Sequence, residues 1–314
     1  MIITVTLNPS LDKTAEIPTF EMNGVNRISS MRLDPGGKGI NVSKVIASLG
    51  GKSKALALLG GSTGADVEAR AKAQGVNLIA VPVAGETRTN LKIVDPQNHT
   101  NTDINEPGPG YQPDKAETLL RLLKGTAHAG DLVVLSGSLP PGAPASLYAE
   151  WIRELKPLGV KVFLDADGGS FRQGVKVAPY LVKPNVQELS RFAQRPLETR
   201  EEILGAGKEL LNGGIERVVV SLGAGGAFFL SGSRSFYARG IEVPVRSTVG
   251  AGDAMVAALA YGEDGNCCME NSARLAVAAS AASVMCSGTQ AAERSEIDRI
   301  LPEVQLELIE EGGE

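Results

Sequence analysis

The chain has 314 residues, 43% of them hydrophobic and 21% charged, which supplies the apolar material for a large core of one or two domains. Its 31 Lys and Arg against 36 Asp and Glu leave a net charge of −5, so nucleic acid is disfavoured as the main partner. The three cysteines, Cys267, Cys268 and Cys286, contain no C-x-x-C and are odd in number, so buried inert thiols in a reducing, cytoplasmic setting are expected rather than disulfides.

The N-terminus, MIITVTLNPSLD, reads as a short apolar strand and lacks the basic-then-apolar order of a signal peptide. No stretch approaches the ~18 consecutive apolar residues that span a bilayer, so no membrane partner is expected. Ile2–Leu7 is a β-branched strand, and Asn41–Leu49 a helix stopped by Gly50-Gly51. Strands follow at Ala55–Leu59 and Asn77–Val81, with a helix between them at Ala65–Gln74. Further along, helices at Ala116–Lys124, Ala145–Lys156 and Arg200–Asn212 alternate with strands at Asp131–Ser136, Lys161–Asp165, Tyr180–Lys183 and Arg217–Leu222. Gly252–Tyr261 and Ala273–Met285 are apolar helices, and the acidic tail after Pro302 reads as a surface helix.

Continuous apolar strands separated by helices predict an α/β fold whose mostly parallel sheet is covered on both faces. Ligands in such sheets bind beyond the carboxyl ends of the strands, where Ser136, Asp165, Lys183 and Ser221 fall. Two segments break the rhythm. Residues 12–33 carry no clean helical period, and residues 87–105 alternate polar and apolar around a turn at Asp95–Asn98. Together they predict a small inserted β-sheet, either a lid over the strand ends or an edge hairpin of the main sheet.

Two glycine-rich segments carry chemistry. Ser247-Thr248-Val249-Gly250-Ala251-Gly252-Asp253 opens an apolar helix. Successive amides of Gly250, Ala251 and Gly252, together with the positive helix end, form an anion hole. Asp253 is either an ordinary acid of a first helical turn or a base beside that hole. Asp34-Pro35-Gly36-Gly37-Lys38-Gly39-Ile40-Asn41 opens another helix, as a plain turn or as a place where a ligand approaches bare backbone. The usual nucleotide signatures fail, since Gly51-Lys52-Ser53 lacks the upstream glycine of a P-loop and no G-x-G-x-x-G joins a strand to a helix. His99 and His128 show no metal-ligand spacing.

Taken together, seven segments in order resemble the ribokinase-like sugar kinases, and among them the phosphofructokinase B family, over about residues 1–290. They are TLNPSLD (from Thr6), GGKGINVSKVIASLGG (from Gly36), TRTNLK (from Thr87), SGSLPPG (from Ser136), KPNVQEL (from Lys183), SLGAGGA (from Ser221) and STVGAGDAMVAAL (from Ser247). The resemblance implies one three-layer α/β/α kinase domain over 1–314 with a small β-sheet lid. It makes Asp253 the catalytic base and Gly250, Ala251 and Gly252 the anion hole. It places Asp12, Gly37, Lys38, Gly39, Asn41 and Ser138 on the sugar, and Arg27 and Arg88 on the substrate's phosphate. Lys183, Asn185, Ser221, Gly223, Gly226 and Thr248 would serve ATP, and Glu188 would organise Mg²⁺ through water.

Within the family, TLNPSLD, the two arginines and STVGAGD resemble the sugar-phosphate branch, and GGKGIN with the Val25-Asn26-Arg27 run looks most like 1-phosphofructokinases. Tagatose-6-phosphate kinases and 6-phosphofructokinases follow. The implied reaction is ATP with fructose 1-phosphate giving fructose 1,6-bisphosphate, in a homodimer joined through the lid. A sugar-phosphate sensor that keeps the fold is the non-enzymatic alternative. One departure stands at Asp165-Ala166-Asp167-Gly168, where many relatives carry a serine-containing run.

Overall fold

The computed structural model describes residues 1–232 and 234–309. The first part of the chain runs β1 (Ile2–Thr6), β2 (Ser10–Glu16), β3 (Ser30–Gly36), α1 (Lys38–Ser48), β4 (Ser53–Leu59), α2 (Gly61–Ala73), β5 (Asn77–Pro82), β6 (Arg88–Asp95) and β7 (Thr100–Asn105). The middle continues with α3 (Pro113–Thr126), β8 (Leu132–Ser136), α4 (Leu147–Leu155), β9 (Lys161–Asp165), α5 (Gly168–Val175), β10 (Leu181–Val182), α6 (Val186–Ala193), α7 (Arg200–Asn212) and β11 (Arg217–Ser221). The last part is β12 (Gly226–Ser231), β13 (Ser235–Arg239), α8 (Ala251–Asp264), α9 (Met269–Val284), α10 (Arg294–Ile300) and β14 (Leu306–Ile309).

The strands form a 10-stranded sheet in the order β14-β13-β12-β11-β10-β9-β8-β1-β4-β5. From β11 to β5 neighbours pair in parallel, and β12, β13 and β14 close the other edge antiparallel. Buried apolar residues fill both faces. Leu119, Tyr148, Trp151, Ile203 and their neighbours on α3, α4 and α7 cover one, and Val42, Val256 and Val277 on α1, α8 and α9 cover the other. The predicted α/β class and three-layer arrangement hold, because strands such as Leu132–Ser136 are apolar on both sides and need helices on each.

The two irregular segments form a second, 4-stranded sheet in the order β3-β2-β6-β7. Its faces follow the period of two. Asp12 and Thr14 on β2 lie in register with Asn90 and Lys92 on β6, and these residues line one face. Met31, Leu91 and Ile104 fall on the other.

Two expectations are corrected. The tail after Pro302 is a strand, not a helix, over Leu306–Ile309, paired antiparallel with β13. Val304, Leu306 and Leu308 alternate with Gln305 and Glu307, a two-residue period that a sheet edge accepts and a helix does not. Residues 310–314 of that tail lie outside the described residues. The cysteines are not buried. Cys267 and Cys268 are exposed and Cys286 is half-buried, because the first two occupy the turn that leads into α9.

Candidate active site

Parallel strands leave their carboxyl ends along one edge of the sheet, and the predicted residues gather there. Ser136 ends β8 in register with Asp165, which ends β9. Lys183 follows β10, and Ser221 ends β11 and bridges to Asn185. The Asp165 carboxylate sits between two ammonium groups, 3.3 Å from Lys38 Nζ and 3.6 Å from Lys183 Nζ. Burial alone would raise its pKa, but Lys183 and Lys38 outweigh burial and hold it below the usual carboxylate range. Lys38 responds in kind. Burial opposes its charge, and Asp165, Asp253 and Glu188 overcome that to raise its pKa above the ordinary lysine value.

Asp253 stands in the first turn of α8 and is only 6% exposed. No side chain caps this helix, so Asp253 is not the conventional capping acid. Its Oδ2 instead accepts a hydrogen bond from Asn41 Nδ2 at 2.8 Å. Burial pushes the carboxyl up to about 6, against the opposing pull of Lys38, Asn41 and Lys183 and with the help of Asp165. Gly250, with φ 87°, turns the chain into the helix in a left-handed conformation that favours glycine. Ala254 is the first amide of α8 to reach a carbonyl, that of Gly250 at 2.8 Å, which leaves the preceding amides without a helical acceptor. Lys183 Nζ lies beside them, 3.2 Å from where a side chain on Gly252 would begin.

Two cavities meet at this loop. One, of about 620 Å³, is edged by Asn185, Ser221, Gly223, Gly226, Thr248 and Gly252 and walled by Val243, Met255, Val277 and Val284. An apolar slot ending at a helix N-terminus suits a purine base with its phosphates toward the amides. The other, of about 260 Å³, is lined by Asp12, Arg88, Asn90, Lys92, Val249 and Thr289, among others. Thr248 therefore faces one cavity and Val249 the other, just ahead of Gly250.

In the smaller cavity, Asp12 accepts from Ser10 at 2.7 Å, Asn90 at 3.0 Å and Thr289 at 3.3 Å. Arg88 is half-buried, and burial lowers its pKa. Its guanidinium donates to the carbonyls of Asn8 and Glu106 and to Asn90 Oδ1, with no carboxylate within ion-pair distance among the described residues. Asp12, lining the same cavity, favours that charge from beyond ion-pair distance. Asn41 Oδ1 and Asn8 Oδ1 are buried without hydrogen-bond partners among the described residues. Ser138 is exposed and accepts from Asn8 Nδ2 at 3.4 Å.

Some predicted residues stand differently. Gly37 and Gly39, expected at the sugar, also lie where the chain packs closely on itself. A side chain on either would strike Thr6, at 2.7 and 2.5 Å respectively, so these glycines let α1 pack onto β1. Asn185 and Glu188 form a reciprocal capping box, with Glu188 N donating to Asn185 Oδ1 and Asn185 N to Glu188 Oε2, both at 2.9 Å. Arg27 is exposed in the connection between β2 and β3 and does not line the cavity of Arg88.

Several site residues went unremarked in the sequence. Asn90 and Lys92 follow Arg88 at the two-residue spacing of one strand face, a signal that was present in TRTNLK. Thr289 and the buried Lys44, which donates to Pro35 O at 3.0 Å and Thr289 O at 2.7 Å, have no such signal. Lys44 reaches that loop only through tertiary packing, and burial lowers its pKa to about 8.

Comparison with known proteins agrees with this geometry. The chain is 35% identical over 310 residues to a 1-phosphofructokinase of Haemophilus influenzae, covering 98% of this chain and 99% of that protein. It is 36% identical to an ATP-dependent 6-phosphofructokinase isozyme 2 of Mycobacterium tuberculosis, covering 95% and 88%. The crystal structure of phosphofructokinase-2 from Escherichia coli in complex with potassium superposes with a TM-score of 0.91 at 31% identity, covering 96% of this chain and 98% of that one. The profile described as pfkB family carbohydrate kinase matches residues 5–296, and the chain belongs to that family.

Proposed function

We propose that this chain transfers the γ-phosphoryl group of ATP to the free primary hydroxyl of a ketohexose phosphate, with fructose 1-phosphate as the preferred acceptor and fructose 1,6-bisphosphate as product. The observation that carries the reading is Asp253, a buried carboxylate pushed up to about 6 in the first turn of α8, just after the loop whose residues line both cavities. A base of that pKa is deprotonated at neutral pH and matched to take a hydroxyl proton as the oxygen attacks phosphorus. The amides of Gly250, Ala251 and Gly252 then hold the charge of the transferring group, with Lys38 and Lys183 beside them.

Asp12, Asn41 and Ser138 are the polar groups assigned to the sugar hydroxyls, and Arg88 to its phosphate, since a guanidinium lacking a carboxylate partner suits a dianion. Ser221, Gly223, Gly226, Thr248 and Asn185 are assigned to ATP. Mg²⁺ fits the donor set. Among the described residues no cluster of three or more His, Cys, Asp or Glu could cage a metal, and Mg²⁺ characteristically keeps waters and binds substrate phosphates. Glu188 Oε2 is taken by the Asn185 amide, which leaves Oε1 for a metal-bound water. When bound, the ion would neutralise charge on the β- and γ-phosphates.

The reading treats 1–314 as one kinase unit in which the 4-stranded sheet is a lid. It includes a homodimer, because Met22 and Val25, each 84% exposed, stand with Ile28, Met31 and Ile104 as exposed apolar residues of the small sheet and its connections. Arg27 lies among them, so a partner that covers the patch also covers Arg27. A cytoplasmic setting rests on the three free cysteines.

The test is ADP release from ATP with fructose 1-phosphate, fructose 6-phosphate and tagatose 6-phosphate as acceptors. The highest kcat/KM is expected for fructose 1-phosphate. A clear preference for either 6-phosphate would move the assignment to that sugar, and ligand binding without ADP release would make the protein a sensor.

A further inference from the structure

The ammonium of Lys92, on lid strand β6, donates to Ser247 Oγ at 2.9 Å, and both side chains are buried. Ser247 Oγ also accepts from the Val249 amide at 3.3 Å, and the Ser247 amide donates to Val284 O at 3.1 Å. Ser247 is thus the anchored start of the loop whose next residues divide the site. Thr248 goes to the larger cavity, Val249 to the smaller, and Gly250 turns into α8. A shift at Ser247 reaches the anion-hole amides through a short turn held by that same hydroxyl.

Lys92 shares its strand face with Arg88 and Asn90 and lines the cavity assigned to the sugar phosphate. Its hydrogen-bond partner is a neutral hydroxyl, while Asp103, opposite it on β7, and Asp12 across the cavity favour its charge from farther off without a direct ion pair among the described residues. Burial still outweighs those carboxylates and lowers its pKa, so a buried ammonium whose only direct contact is a hydroxyl carries a cost that this bond alone does not offset. We propose that Lys92 is a positioning residue that couples filling of the sugar-phosphate cavity to the set of the anion hole, acting through Ser247. The coupling rests on the kinase reading given above. The charge of an incoming phosphate acts on Lys92, and Lys92 fixes the loop that receives the transferring charge.

The experiment uses Lys92→Met, Ser247→Ala, the double variant and Lys92→Arg. Hydrogen exchange of residues 247–253 is followed in the ligand-free protein, and kcat and both KM values are followed in turnover. Exchange in this segment is expected to rise similarly in both single variants. Each single change should lower kcat about tenfold with little change in KM for ATP, and the double variant should be no slower than the worse single one, because both remove one bond. Lys92→Arg should recover part of kcat, which loss of packing alone would not produce. Multiplying losses in the double variant, or an effect confined to KM for the sugar phosphate, would make Lys92 a second phosphate ligand and overturn the proposal. Unchanged exchange in Lys92→Met overturns it whatever the substrate, whereas the kinase reading fails separately if the unmodified protein phosphorylates no ketose phosphate.

Discussion

Asn41 Nδ2 donates to Asp253 Oδ2 at 2.8 Å, joining the first turns of α1 and α8 inside the site. A donor on the charged form favours that form, so Asn41 opposes the burial that pushes Asp253 up to about 6. The base works only when deprotonated, so activity is lost as pH falls through its pKa. The pH profile of kcat/KM is expected to show an acid limb near pH 6, and Asn41→Leu should move that limb upward by roughly one unit. A wild-type profile flat down to pH 4.5 or so would separate Asp253 from the proton transfer.

Asp253→Asn keeps the shape and removes the base. General-base catalysis is worth ~10²–10⁴, so kcat should fall at least about 100-fold while ATP still binds. The folded-state pKa is raised, so the charged carboxylate costs stability above its unfolded pKa. The variant should therefore unfold at the same temperature as the parent or higher. Calorimetry and ATP titration read both. Near-normal turnover would end the assignment.

Lys38 supplies a second electrostatic check. It lowers the Asp253 pKa through space and leans on Asp165 at 3.3 Å. Lys38→Met should lower kcat by roughly 10²-fold, the scale of losing one donor at a developing charge, and should also raise the acid limb. A change confined to KM for the sugar would return Lys38 to the hydroxyl-binding role expected from the sequence.

The fold was legible wherever a period was clean. The alternation in TRTNLKIVD marks β6, and the helix over Arg200–Asn212 matches its expected bounds because Thr199 and Glu202 form a capping box. Helix α1 begins at Lys38 rather than Asn41, since Gly37 serves as N-cap without any capping side chain to announce it. The glycine-rich start of α8 was legible, whereas the packing of Gly39 against Thr6 was not. A glycine that lets a helix approach a strand looks the same in sequence as one that admits a ligand. Thr289 was beyond local reading, because its hydrogen bond to Asp12 joins residues 277 positions apart.

Arg88 tests substrate recognition apart from chemistry. Its three neutral acceptors fix the guanidinium in place without a direct carboxylate contact, and only Asp12 acts on its charge from across the cavity. Removing it should weaken a dianion and leave the nucleotide untouched. Arg88→Ala is expected to raise KM for the sugar phosphate at least about tenfold, with KM for ATP within roughly twofold of the parent. Arg88→Lys should recover little, since a point charge cannot reproduce a planar fork. Equal rises in both KM values would remove phosphate recognition from this residue.

The apolar side of the small sheet yields the last prediction. Met22 and Val25 at 84% exposure in the connection between β2 and β3, with Ile104 at 53% on β7, present bulky side chains to water. Covering such a patch by a second copy removes apolar area at roughly 25 cal/mol per Å². A twofold contact would be self-complementary because both copies present the same residues. Sedimentation is expected to give a dimer for the parent chain and a monomer for the Met22→Asp, Val25→Asp double variant. Because Arg27 sits in the same exposed connection, the monomer should also show a higher KM for the sugar phosphate at unchanged KM for ATP. A parent chain that sediments as a monomer at working concentration rejects the dimer, and a monomeric variant with unaltered KM shows that Arg27 does not serve the phosphate across the contact.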